Sequence, residues 1–115
     1  MRRGEVYWAD LVPRSGTERT GRRPVIVVSN DGFNEASSWR SIIVVPITTS
    51  ASQGRRGPTV VELLLGAGGT PKASFAVCHQ VTTLDRSKLT QKLGVLSPAD
   101  VYAVEEGLKA AMDLD

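Results

Sequence analysis

Apolar residues along the chain fall in short runs separated by glycine, proline and small polar residues. Glu5 to Leu11 has Val6, Tyr7 and Trp8 at its centre and stops before Pro13, which predicts a strand. A second strand is predicted from Pro24 to Asn30. Its Val25-Ile26-Val27-Val28 run is wholly β-branched, so it is expected to be buried on both faces. Asn30-Asp31-Gly32 signals a turn, followed by a short helical turn from Phe33 to Ser38. Ser41 to Thr48 predicts a third strand. Pro46 within it cannot donate to a ladder and marks an edge, a bulge or a strand end. Thr59 to Leu65 and Ala73 to Val81 predict a fourth and a fifth strand, joined by a plain turn through Gly66 to Pro71. Asp85 to Leu89 predicts a helical turn, and Lys92 to Leu96 a short last strand.

The periodicity changes after Leu96. Ser97 is the expected N-cap of a helix, Pro98 its first residue and Asp100 its capping-box acid. Val101, Val104, Leu108 and Met112 form one stripe, which predicts packing on the sheet, and Gly107 allows a close approach there. Many short strands with Gly/Pro turns and one terminal helix predict a mainly β fold, a small and strongly curved barrel with a C-terminal α-helix.

Composition narrows the class. A chain of 115 residues with 41% hydrophobic and 23% charged residues is expected to form a single domain, residues 1–115, rather than a disordered segment. Aromatics are 5% of the chain, so the core must be aliphatic. Cys78 stands alone, which excludes a disulfide within the chain and fits a reducing compartment. No signal peptide or membrane-length apolar run is visible, so the expected location is the cytoplasm, without membrane association. Net charge is only +2, but arginines crowd the first half and carboxylates gather near the end.

The strongest chemical signal is the polar segment Arg14 to Pro24, which carries Arg14, Arg19, Arg22, Arg23 and Glu18 ahead of the second strand. Thr48 ends the third strand, and a second basic segment with Gln53, Arg55 and Arg56 follows it. These residues are expected to line a cleft for a phosphate-bearing ligand, since the arginine fork suits phosphate. One His and one Cys, side by side at 79 and 78, cannot build a zinc site, so no metal and no cofactor is expected. No nucleophile motif or phosphate-binding glycine loop is present. Such a cleft suits cleavage of an RNA phosphodiester by its own 2′-hydroxyl. Arg23 would stabilise the charge on phosphorus and Thr48 would hydrogen-bond a phosphate oxygen. Glu18 would act as base or orient Arg23. His79 is either a proton-transfer group or a strand residue satisfied by a neighbour.

Five stretches and the acidic C-terminal helix then carry a resemblance that spans nearly the whole chain. Arg3 to Leu11, Gly16-Thr17-Glu18 and Arg23 to Asp31, together with Val44 to Thr48 and Gln80 to Asp85, resemble the MazF/PemK (Kid) toxins of bacterial type II toxin–antitoxin modules. The resemblance implies an SH3-like CcdB/Kid/MazF barrel, a homodimer, and metal-independent, sequence-specific cleavage of single-stranded RNA that inhibits translation and growth. It also implies a cognate MazE-like antitoxin whose C-terminal segment blocks the RNA groove, and DNA binding together with that antitoxin. The family's arginine falls on Arg23, its threonine on Thr48 and its loop glutamate on Glu18. Thr17, Arg19, Arg22, Asn30, Gln53, Arg55, Arg56 and Gln80 are the expected RNA contacts. Thr17 stands where some relatives have histidine, His79 where several have an acid, and Val77 where the Kid branch has an arginine. The Arg23/Thr48 assignment therefore carries over better than the Kid acid and base. Two alternatives are a CcdB-like toxin that inhibits DNA gyrase by contact alone, and a barrel that binds nucleic acid without cutting it.

Overall fold

The computed structural model describes residues 1–11, 21–50 and 57–115. Its strands are β1 (Glu5–Leu11), β2 (Gly21–Val27), β3 (Ser41–Thr48), β4 (Val60–Leu63), β5 (Ser74–Val77), β6 (Thr82–Asp85) and β7 (Leu89–Val95). Two helices accompany them, α1 (Asp31–Asn34) and α2 (Pro98–Met112). All pairings are antiparallel. The sheet runs β4-β5-β3-β2-β1-β7, and β6 adds to β3.

Several departures from the predicted elements have physical causes. Strand β2 begins at Gly21 rather than Pro24, because Arg22 and Arg23 pair with Asp10 and Ala9 of β1. The predicted fifth strand, Ala73 to Val81, stops at Val77, and Cys78–Gln80 form a 3-10 turn. Beyond that turn lies β6, a strand absent from the sequence reading. Pro46 is neither at an edge nor at a strand end. It is buried inside β3, opposite Val25. On the other edge of β3, β6 pairs with residues 41–44 and β5 with residues 47–48, so Pro46 falls in the gap between the two partners. A residue without an N–H is tolerated in such a gap.

The sheet must curl. Strands β6 and β7 are separated in the sheet by β3, β2 and β1, yet only Arg86–Lys88 joins them. Four inter-strand spacings in a flat sheet span about 19 Å, whereas the four steps from Asp85 to Leu89 reach at most about 14 Å. Curling closes the difference and encloses a core of Ala9, Leu11, Val25, Val27, Ile42 and Val44. The opposite face of the same strands presents Val6, Ile26, Val45 and Ile47 to a second core with Leu63, Ala76, Cys78, Leu96 and Val104. Successive residues of β2 thus enter different cores, which explains its unbroken apolar run.

The helix α2 covers this second core. Ser97 caps it, its Oγ accepting from Asp100 N at 3.1 Å. Val101, Val104 and Leu108 pack inward as expected, but Met112, on the last turn, is 48% exposed. Arg86 locks the turn after β6. Its guanidinium donates to the carbonyls of Trp39 (2.9 Å), Asn34 (2.8 Å) and Ala36 (3.1 Å), which lie at and beyond the end of α1. No described helix is long and apolar enough to cross a membrane.

Candidate active site

The register between β2 and β3 builds the site. Val25, Ile26 and Val27 stand opposite Pro46, Val45 and Val44. Toward the same end of the two strands lie Arg23, the third residue of β2, and Thr48, the last of β3; Ile47 beside Thr48 is buried and Pro24 beside Arg23 is half-buried. Thr48 is itself 8% exposed, and its Oγ1 accepts from Ser50 N at 3.1 Å. That bond leaves the hydroxyl proton for a ligand.

A cleft of about 230 Å³ opens at this end of the sheet. Trp8, Pro24 and Ile47 contribute to its lining from the face that elsewhere carries the α2 core, and Arg22, Arg23, Thr48 and Thr49 line it too. The remaining wall is Thr70, Pro71, Lys72 and Ser74, ahead of and at the start of β5. Strand pairing explains the floor: Trp8 pairs with Pro24 in β2 and with Gln91 in β7. The Arg22 guanidinium lies over the Trp8 ring, 4.7 Å from its centroid, and donates to Gln91 Oε1 at 3.0 Å.

The wall is set by the turn Ala67–Gly69, which presses on β7. A Cβ on Gly69 would stand 2.2 Å from the Leu93 carbonyl oxygen, and one on Gly94 2.7 Å from the Gly68 oxygen. Backbone meets backbone here, so only glycine fits at either position. Thr70 Oγ1 donates to the Ala67 carbonyl at 2.7 Å and sends the chain toward Lys72. The expected turn is therefore also the support of the cleft wall. Trp8, Thr49, Thr70, Pro71, Lys72 and Ser74 did not emerge from the sequence as cleft residues. The usable signal was Lys72 following a glycine-rich turn and a proline.

Arg22, Arg23 and Thr48 are thus brought together. Thr17, Glu18, Arg19, Gln53, Arg55 and Arg56 lie outside the described residues. Asn30 caps α1, its Oδ1 accepting from Gly32 N at 2.7 Å. His79 and Gln80 lie in the 3-10 turn after β5, and neither lines the cleft. His79 is exposed, with Nδ1 2.9 Å from Thr59 Oγ1, while its neighbour Cys78 is fully buried. Burial pushes the Cys78 thiol up to about 11, which makes it a poor nucleophile. Among the described residues no three His, Cys, Asp or Glu side chains are grouped so as to hold a metal ion.

Comparison with known proteins identifies the family. The family model of PemK-like, MazF-like toxins of type II toxin–antitoxin systems matches residues 2–112. The chain is 36% identical over 115 residues to the endoribonuclease MazF of Staphylococcus epidermidis, covering all of this chain and 93% of that protein. It resembles a mycobacterial endoribonuclease solved in complex with its cognate antitoxin, with TM-score 0.76 and 28% identity over 98% of this chain and 95% of that one. MazF of Deinococcus radiodurans shares the fold, with TM-score 0.78 and 23% identity over 97% and 96% of the two chains. With a family match along almost its full length and a whole-length relative above a third identical, this chain belongs to the PemK-like, MazF-like toxins of type II toxin–antitoxin systems.

Proposed function

We propose that this toxin is an endoribonuclease that cuts single-stranded RNA in the cleft between Arg23 and Lys72, using the substrate's own 2′-hydroxyl as nucleophile. The observation that supports the reading is the cleft that Arg23 of β2 and Thr48 of β3 both line. The 2′-oxygen attacks phosphorus and the bond to the 5′-oxygen breaks. The 2′-hydroxyl proton goes to a base and the departing 5′-oxygen gains a proton, leaving a 2′,3′-cyclic phosphate and a 5′-hydroxyl. Arg23 stabilises the charge that builds on the phosphoryl oxygens, with Lys72 as a second cation and the Thr48 hydroxyl as a donor. The base is Glu18 rather than His79, because His79 lies outside the cleft and is engaged with Thr59. Thr17, Arg19, Gln53, Arg55 and Arg56 read and grip the RNA from the two basic segments. The chain works in the cytoplasm as a homodimer without a metal, and a cognate antitoxin covers the cleft with its C-terminal segment.

The gyrase-inhibitor alternative is not favoured. The curated relative matched over the whole chain is an endoribonuclease, and contact inhibition gives the arginine cleft no task. Purified protein incubated in EDTA with a long single-stranded RNA tests the reading. The wild type yields discrete fragments with 5′-hydroxyl ends and Arg23→Ala does not. Absence of cuts across varied RNAs, or cuts that require Mg²⁺, overturns it.

A further inference from the structure

The Trp8–Arg22–Gln91 group has no part in the phosphoryl chemistry above, yet it stands at the same cleft. The Arg22 guanidinium lies over the indole of Trp8 and is fixed from the side by Gln91. Cation–π attraction accounts for the position over the ring, and the bond from Nη2 to Gln91 Oε1 limits rotation. These contacts come from three strands: Trp8 in β1, Arg22 in β2 and Gln91 in β7. Arg22 remains exposed while its guanidinium lies over the indole, so it is reachable from solvent. It is adjacent in sequence to Arg23, the residue assigned to the phosphate.

The geometry points to Arg22 as a stacking shelf for one nucleobase of the RNA, next to the phosphate held by Arg23, with Trp8 and Gln91 as its positioning residues. Unpaired bases stack on guanidinium planes as well as on aromatic rings. A plane already immobilised on Trp8 loses little rotamer freedom when a base arrives. The shelf recognises a flat base in single-stranded RNA and orders the strand across the cleft. It carries no hydrogen-bond code and therefore tolerates several bases. This inference rests on the RNA-cutting reading for its substrate, but it concerns binding and is read without cleavage.

The test uses full-length protein and short RNAs made uncleavable by 2′-O-methyl groups, with binding followed by fluorescence anisotropy. Wild type is compared with Arg22→Lys, which keeps the charge and loses the plane, and with Gln91→Ala, which frees the guanidinium to rotate. On intact RNA, Arg22→Lys binds roughly tenfold more weakly, within the range of one lost base stack. Its dependence on salt matches wild type, because the number of charges is unchanged. On a series of RNAs each lacking one base, the difference between the two proteins vanishes at a single position. Gln91→Ala shows a smaller loss confined to that position. Equal affinity of Arg22→Lys and wild type for intact RNA overturns the shelf. So does a loss that persists on every base-deleted RNA, or a wild type that binds none of these RNAs. If the shelf is confirmed while wild type fails to cut unmodified RNA in EDTA, it is the nuclease reading that falls.

Discussion

At the residue scale, Arg23 and Gly107 make opposite demands. Arg23 is exposed near the start of β2, so replacing it should leave the fold intact. Arg23→Lys keeps a charge but loses the planar fork. Cleavage should fall about 100- to 1,000-fold, as for removal of one preorganised donor to a developing negative charge. Thr48→Val should lower the rate in the same direction, and single-turnover cleavage of a defined RNA measures both. Gly107 is buried in α2, where an added Cβ would stand 2.6 Å from Cys78 Sγ and 3.1 Å from Val61 Cγ2. Alanine gains about 1 kcal/mol of helix propensity, but overpacking costs about 1–3 kcal/mol. Gly107→Ala should therefore lower the urea midpoint. The double variant with Cys78→Ala should lose less than the sum of the two single changes, since the clash partner has gone.

At the element scale, the seam between β1 and β7 is irregular. The pairing shifts between Val6 and Tyr7 and again between Trp8 and Ala9. A polar cluster holds it together. Lys92 Nζ donates to Glu5 Oε2 at 2.7 Å, and the Tyr7 hydroxyl donates to Glu5 Oε1 at 2.9 Å. Burial, followed by the hydrogen bond to Glu5, pushes the Tyr7 phenol up to about 12. A folded-state value raised above the ordinary 10 contributes stability that is complete below pH 10 and disappears as pH rises toward about 12. Tyr7→Phe should accordingly flatten the alkaline fall in melting temperature over that interval, measured by circular dichroism. Legibility also varies by element. Strands β1 and β3 were readable with their bounds, because runs of β-branched and aromatic residues end at clear breakers. The start of β2 was not, since Arg22 and Arg23 look like loop residues and only their partners across β1 make them strand. Strand β6 was hidden because Leu84 is the one apolar side chain in Thr82–Asp85 and its pairing with Ile42 is a tertiary fact. Thr48 was visible as a strand end and Arg23 as the residue ahead of an apolar run. The wall at Thr70–Ser74 was not, because it depends on glycine contacts with β7 that no local pattern reports.

At the scale of the molecule, three carboxylates fasten distant parts of the chain. Burial would raise the Glu5 carboxyl, but Lys92, the Arg2 N–H and Tyr7 outweigh it and hold it below its ordinary value. Asp31 is lowered chiefly by the backbone N–H of Arg3, which ties the N-terminus to α1. Asp85 is held far below the usual range by the Ser87 hydroxyl, by Arg40 and by the Ser87 N–H, at the turn between β6 and β7. Depressed folded-state values mean that the stabilisation is present above about pH 4 and is lost as pH falls through them. Melting temperature should thus drop steeply below about pH 4. Asp85→Asn should shrink that drop while lowering stability at pH 7, as thermal melts across the pH range would show.

The short link from β6 to β7 has a further consequence in time. The pairing of Glu5 with Val95 closes the curl by joining the start of the chain to residues made near its end. Protein synthesis delivers about 5–20 residues per second, so β1 waits some seconds with one edge unpaired until residues 89–95 have left the ribosome. The cleft floor shares that delay, because Gln91 of β7 is what steadies Arg22 over Trp8. In the nascent chain the Trp8–Arg22 contact therefore lacks its Gln91 support until β7 is made, and a partner has that interval in which to meet the chain first.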